Sequence, residues 1–302
     1  MDIVADFKAD WHAEMRKLLD AMGIAGLDTL DDFQLSLAYW NSRLRWVPIQ
    51  PRKVVKAKEF VCPPARQAGL DALAARFEAG EDVNPWLSNK RLDSEDENFH
   101  DKLLNDWGIT HFHLGETAEE RYAECLFALV IKDAVCFIDV LGHGKYTQRD
   151  MVYRVHANWP QLLADRRQAG ILPSKKDLDD DQVKTLRKKN VNFPIQMPDG
   201  TVYVAIGGGL TSAGTGAQMI VNSDAAFFQL KQYQLGICKN IDWYLDHVRA
   251  QNRTPGDPPS FKLFVEADHT CYAIEETSKV AFKLGHIFPP RPTNPPIDFT
   301  KP

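Results

Sequence analysis

Residues 125–141 read CLFALVIKDAVCFIDVL, two apolar runs separated by Lys132-Asp133. Each run has the length and the aliphatic and aromatic composition of a β-strand, and the polar pair between them suits a short turn. The chain therefore predicts an antiparallel hairpin here. Because both runs are apolar on both faces, we expect the hairpin to lie at the centre of a sheet.

A pair of histidines precedes the hairpin, in residues 107–115, WGITHFHLG. This run alternates as a strand does, so His111 and His113 are predicted to share one face. A third histidine, His143, stands between glycines at the end of the second hairpin strand. We expect the three imidazoles to meet, which makes them the best candidate for a site in this chain.

Helical and strand-like segments fill the rest of the chain. Apolar residues recur at helical spacing from Ile3 to about Trp46, and one long helix is predicted from about Ser223 to Arg249, followed by two or three strands. The pattern predicts an α+β protein with a central antiparallel sheet and flanking helices. It divides into a helical N-terminal part (1–95), a histidine-bearing antiparallel-sheet domain (96–173) and a C-terminal α+β part (174–302).

The glycine-rich segment 207–216 follows a strand and precedes a helix, which is the order found in phosphate-binding loops. It lacks the Gly-Lys-Ser/Thr ending of a P-loop and the spacing of a dinucleotide fingerprint. We therefore interpret it as a flexible connection.

The composition is that of a globular protein, with 44% hydrophobic and 25% charged residues in 302. A net charge of −5 gives no global attraction to nucleic acid, so such a partner needs a local basic patch. The five cysteines are scattered without a Cys-x-x-Cys pair, and no apolar run approaches the roughly 18 residues of a membrane helix. These features predict a cytoplasmic protein without a membrane partner.

Three histidine nitrogens could hold zinc or another divalent metal and leave one position for water, as in hydrolytic zinc sites. His111, His113 and His143 would be the ligands. Asp139 would be a fourth ligand or would orient one of the histidines. This set predicts a metal-dependent hydrolase as one alternative.

The same residues suit RNA cleavage with no metal or cofactor. That reaction needs a base for the ribose 2′-hydroxyl, an acid for the leaving oxygen and a cation for the charged phosphorane. Histidine titrates near neutral pH, so His111 and His113 are the acid/base candidates. In this interpretation His143 and Lys145 stabilise the phosphate and Tyr146 positions it.

A basic stretch near the N-terminus lies beside Trp40 and Trp46. Runs of charge usually serve solvation. Arg and Lys interleaved with aromatic residues also suit a nucleic-acid backbone. On that reading the substrate-binding candidates are Arg43, Arg45, Arg52 and Lys53.

Residues 127–143, a hydrophobic strand, a polar turn and a second strand leading into Gly-His, resemble the terminal hairpin of RelE/ParE-like toxins. The resemblance implies a small curved antiparallel sheet flanked by helices, and mRNA cleavage by basic, Tyr or His residues around it. The pair His111 and His113 is not part of that toxin pattern. Residues 103–115 together with Asn158-Trp159-Pro160 are similar to an uncharacterised bacterial protein family, which implies no function.

The leading hypothesis is a metal-independent endoribonuclease of toxin or phage-defence type. RNA, and an antitoxin or other partner protein, are its predicted partners. The alternatives are the metal-dependent hydrolase and a non-catalytic binding or assembly protein whose histidines satisfy hydrogen bonds at a sheet edge. The sequence leaves the substrate and the oligomeric state open.

Overall fold

A computed structural model describes residues 3–96, 99–142, 144–170 and 178–287. The predicted α+β class is confirmed. Within these ranges no helix has a stretch both long and apolar enough to span a lipid bilayer.

The described helices are α1 (Phe7–Ala21), α2 (Asp32–Arg45), α3 (Gln67–Ala79), α4 (Lys102–Trp107), α5 (Asp150–Asn158), α6 (Asp180–Lys188), α7 (Ala217–Lys239) and α8 (Ile241–Ala250). The described strands are β1 (Lys53–Lys56), β2 (Thr110–His113), β3 (Glu124–Val130), β4 (Ala134–Gly142), β5 (Ile195–Gln196), β6 (Val202–Tyr203), β7 (Phe261–Val265), β8 (Thr270–Glu275) and β9 (Ala281–His286). Short 3-10 turns cover Leu27–Thr29, Pro64–Arg66, Asn84–Trp86, Asn89–Leu92 and Pro160–Arg166.

The described chain forms two compact units. Residues 3–40 and 219–287 make up the first, here called the terminal unit. The second, the middle unit, comprises the described residues between 41 and 218. These limits differ from the predicted boundaries at 95/96 and 173/174, because the first helix joins the C-terminal strands through contacts distant in sequence, which a composition shift does not reveal.

The middle unit is built on a sheet of strand order β1-β4-β3-β2. The predicted hairpin forms its centre, with β3 antiparallel to β4 and β2 antiparallel to β3. The sheet is not wholly antiparallel, since β1 runs parallel to β4, with Lys53 opposite Ala134. A parallel pair needs a long crossover, and the intervening chain with α3 and α4 supplies it.

Both faces of this sheet are covered, as the two-sided apolar runs predict. Phe77 of α3 lies edge-on to Phe112 and Phe137 on one face, with ring centroids 5.4 and 6.2 Å away. On the other face α5 packs in one apolar cluster with Phe127 and Ile138 of the hairpin. The sheet is therefore a rigid platform, and the side chains at the end of β2 are held by it.

The terminal unit contains the antiparallel sheet β7-β8-β9 together with α1, α7 and α8. The prediction of one long helix is wrong in its bounds, because the helix starts at Ala217 and breaks at Asn240. The side-chain amide of Asn240 donates to the Gly236 carbonyl at 2.8 Å. An asparagine that bonds to nearby backbone competes with the helical pattern, and the break lies there.

Candidate functional site

The site lies where α4 leads into β2. Asp101 caps α4, with its carboxylate accepting from the backbone N–H groups of Leu103 and Leu104 at 3.0 and 3.1 Å. Gly108 then takes a left-handed conformation, φ 73°, that turns the chain into β2. This turn brings the carboxylate at the start of α4 close to the first histidine of the strand.

His111 and His113 share one face of β2, as predicted. Their ring centroids are 6.2 Å apart, and they stand opposite Phe127 and Cys125 of β3. Both imidazoles are largely covered, with 9% and 8% of each residue exposed. Their surroundings nevertheless differ.

His111 belongs to a polar cluster. Its Nδ1 lies 3.8 Å from Asp101 Oδ2, and Nη2 of Arg45 lies 3.8 Å from the same oxygen. The ring of Tyr146 is 5.2 Å from the His111 ring. At 3.8 Å the carboxylate is beyond hydrogen-bond distance, so it acts on the imidazole through its charge.

His113 faces a thiol. Its Nδ1 is 3.8 Å from Sγ of Cys125. Burial raises the pKa of Cys125 to about 12, so the thiol keeps its proton at neutral pH. His113 does not line the cavity into which His111 opens.

That cavity has a volume of about 400 Å3. Among the described residues, six cationic side chains and one carboxylate, that of Asp101, line it. The cations are Arg45, Lys90, Lys102, Lys184, Arg187 and Lys188. Ser88, Thr147, His100, His111 and Tyr146 also contribute polar groups to the lining. Arg187 pairs with Asp106 and Lys90 with Asp96, at 2.8 and 3.8 Å, so the net positive charge of the lining comes from Lys102, Lys184 and Lys188. A concave surface with this charge favours an anionic ligand.

A buried ion pair holds the cavity wall together. Arg187 of α6 contacts Asp106 Oδ2 through Nε at 2.9 Å and Nη2 at 2.8 Å. Its guanidinium lies over the Trp107 ring at 4.0 Å, and Nη1 donates to the Tyr146 carbonyl. Burial raises the pKa of Asp106, and the neighbouring Arg187 opposes that shift. One side chain thus ties α6, α4 and the segment carrying Tyr146.

The glycine-rich segment supports the same helix, and interpreting it as a flexible connection is wrong. The N–H groups of Gly207 and Gly209 donate to the carbonyls of Asp106 and Asn105, both at 2.8 Å. A Cβ atom on Gly207 would lie 2.1 Å from the Leu104 carbonyl oxygen. Glycine is therefore required at position 207 for close packing against α4.

His100 joins the site, although its sequence neighbourhood gives no histidine pattern. Burial, and secondarily the charge of Arg45, lowers the pKa of His100 from 6.5 to about 4. This imidazole is therefore neutral at physiological pH. Its Nδ1 has no hydrogen-bond partner among the described residues.

The low pKa of His100 predicts a loss of stability in acid. Between about pH 6.5 and 4 the unfolded chain protonates this residue and the folded chain does not, so stability falls as the pH falls through that window. At pH 4.5 the penalty relative to pH 7 is about 2 to 3 kcal/mol. We expect His100→Gln to lose less stability over this interval than the wild type, measured by urea unfolding at both pH values. Equal losses in the two proteins would contradict this prediction.

Of the predicted substrate-binding residues, Arg45 lines the cavity and the other three do not. Arg52 is buried and donates to the backbone carbonyls of Ile131 and Pro48 at 3.0 and 2.7 Å, which is a structural role. Arg43 and Lys53 are exposed, and Lys53 lies on the edge strand β1. Edge lysines of this kind oppose pairing with other chains.

The remaining predicted site residues do not all lie at the cavity. Tyr146 lines the cavity, whereas Lys145 is exposed outside it. Asp139 stands opposite Phe127 in the sheet and pairs with Arg154 at 2.9 Å. His143 lies outside the described residues.

Zinc or another divalent metal would need ligands that converge. Among the residues that the structure describes, no group of three or more His, Cys, Asp and Glu side chains is placed to hold a metal ion. Asp139, the predicted fourth ligand, already has Arg154 as its partner. The predicted trio also depends on His143, whose position is not described.

Three segments that line the cavity are not predicted from the sequence to contribute to a site. They are the short turn carrying Lys90, residues 100–102 at the start of α4, and α6. In α6 the spacing of Lys184, Arg187 and Lys188 places them on one helical face, a signal that the sequence does carry. No family model, curated protein or solved structure matches this chain.

Proposed function

We propose that the protein is a metal-independent endoribonuclease that binds RNA phosphates in the middle-unit cavity and cleaves with His111. The observation that carries the proposal is the joint lining of one cavity by the His111–Asp101 pair, Tyr146 and six cations. The toxin or phage-defence setting remains a prediction.

The charge of the cavity supports a polyanionic substrate. The chain as a whole carries −5, so attraction to RNA must come from a local patch. Lys184 and Lys188 lie on one face of α6, and Lys102 lines the same cavity from the start of α4. Ammonium groups from two helices suit contacts with successive phosphates and the charge that develops on a phosphorane.

His111 is the proposed base. Its Nδ1 faces Asp101, so Nε2 is the nitrogen that would take the ribose 2′-hydroxyl proton. The carboxylate stabilises the imidazolium that forms. The 2′-oxygen then attacks phosphorus and the bond to the 5′-oxygen breaks, leaving a 2′,3′-cyclic phosphate.

Tyr146 is the proposed acid for the leaving 5′-oxygen. Burial raises the pKa of its phenol above the ordinary value of 10, so the proton is present at neutral pH. The ring lies beside His111, and Arg187 fixes its backbone carbonyl. Tyr146 gives its proton to the leaving 5′-oxygen and becomes a phenolate. The His111 imidazolium, or water, then returns a proton to the phenolate.

The phosphate contacts can be tested through salt dependence. The affinity for RNA falls as the salt concentration rises. Each lost phosphate contact with single-stranded RNA reduces the steepness of log affinity against log salt by about 0.7. We expect Lys184→Ala/Lys188→Ala to reduce the slope by about 1 to 1.5, measured by fluorescence anisotropy. The control Lys189→Ala/Lys262→Ala removes equal charge from exposed positions outside the cavity. Equal slopes for the two double variants would contradict the assignment.

The function is tested by incubating the purified chain with a labelled single-stranded RNA in excess EDTA. We expect cleavage to persist and to give 2′,3′-cyclic phosphate and 5′-hydroxyl ends. Cleavage that requires added zinc or magnesium would favour the metal-dependent hydrolase. Absence of both binding and cleavage, with and without metal, would favour the non-catalytic alternative.

A further inference from the structure

Helix α7 in the terminal unit is apolar on two opposite sides. One side packs into the unit, and its fully covered members are Met219, Ser223, Ala226, Leu230 and Ile237. A surface helix ordinarily presents charged and polar residues on the side opposite to its core stripe. The outward side of α7 departs from that rule.

Three large apolar residues lie on the outward side at intervals of seven. Val221 is 59% exposed, Phe228 64% and Leu235 41%. Seven residues make nearly two turns, so the three side chains form one line along the helix, turned about 180° from the covered stripe. Large exposed apolar side chains aligned on one helix face are typical of an interaction surface.

The line is symmetric about its centre. Val221 and Leu235 each lie about 10 Å along the axis from Phe228, on either side of it. Asp224 and Lys231 flank the line on the same side, one before Phe228 and the other after it. A second copy of the helix running antiparallel therefore places the apolar line opposite itself and Asp224 opposite Lys231.

We propose that α7 pairs with α7 of a second copy of this chain through a two-fold axis at Phe228. The two Phe228 rings meet at the axis, and Val221 packs against Leu235 of the second copy. Asp224 lies beside Lys231 of the second copy. The two-fold axis generates the same contact a second time, between Lys231 and Asp224 of the second copy. A two-fold interface requires one surface to complement itself, and this helix face does so in the order of its apolar residues and of its two charges.

The test is sedimentation of the full chain over about a hundredfold range of concentration. We expect a dimer for the wild type and, for Phe228→Asp, a dimer dissociation constant raised by about 100-fold or more. The control is Phe264→Asp, a 50% exposed apolar residue of the same unit away from α7. It should leave the dimer unchanged.

Charge exchange tests the antiparallel register without altering the apolar line. Asp224→Lys alone sets lysine against lysine and should weaken the dimer, as should Lys231→Asp alone. Combining both changes restores opposite charges and should restore the dimer. A monomeric wild type over the whole concentration range would overturn the proposal. A dimer unaffected by Phe228→Asp, or not restored by the double exchange, would overturn it as well.

Discussion

Arg187→Leu lowers the free energy of unfolding by about 3 to 5 kcal/mol. The change leaves the Asp106 carboxylate buried without its cation, and it removes the guanidinium from the face of Trp107 and from the Tyr146 carbonyl. Removing one partner of a buried pair exposes the other to the full desolvation penalty. Urea unfolding of the purified variant and the wild type measures the difference.

Two further variants make this prediction specific. Asp106→Leu/Arg187→Leu removes both charges and should be more stable than Arg187→Leu alone. The matched control is Arg66→Leu, which breaks a more exposed pair with Glu124 at 2.9 Å and should lower stability by less than about 1 kcal/mol. If Arg187→Leu proves as mild as Arg66→Leu, the ion pair does not hold the cavity wall.

His111→Gln reduces RNA cleavage by about 1,000-fold, within the range attributed to general acid–base catalysis. Glutamine keeps the polarity of the side chain but cannot take up a proton near neutral pH. Because the cations that bind phosphate are untouched, RNA affinity should change little. Single-turnover cleavage under saturating protein separates the two effects.

His113→Gln is the informative control, because the sequence predicts an acid/base role for both histidines. His113 faces Cys125 and does not line the cavity. We expect its substitution to change cleavage by less than about tenfold once folding is verified by thermal melting. Equal losses for the two variants would mean that the histidines act as a pair, as the sequence alone suggests, and would contradict the cavity assignment.

The hairpin and the shared face of the two histidines could be predicted, since they depend on local rules. A two-residue polar break between apolar runs specifies β3 and β4, and the period of two along a strand places His111 with His113. Neither inference requires contacts between distant residues, which is why the sequence was sufficient. The structure confirms both.

The cavity could not be predicted because its members come from segments far apart in the chain. Arg187 and Asp106 are 81 residues apart. Arg187 stands in a run of charge that resembles a solvated helix, and Asp106 stands between two uncharged residues, Asn105 and Trp107. His100 has no histidine neighbour in sequence. Its place in the lining follows from the fold of α4 against the sheet.

The division of the chain into two units could not be predicted from the sequence for the same reason. Val4 pairs with Ser260, and Asp10 of α1 accepts from the backbone N–H of Leu263 in β7 at 2.8 Å. These contacts join the two ends of the chain, whereas glycine, proline and charge mark only local breaks. A division based on composition assigns α1 to its sequence neighbours.

The most direct measurement compares an RNA oligonucleotide with the same oligonucleotide carrying one 2′-deoxy residue at the cleavage position. Both should bind with equal affinity, since the lysines contact phosphate, while cleavage at that position should occur only in the all-ribose strand. Cleavage of the 2′-deoxy strand at the same rate would contradict the account, because a 2′-oxygen would then not be the nucleophile and His111 would have no proton to remove.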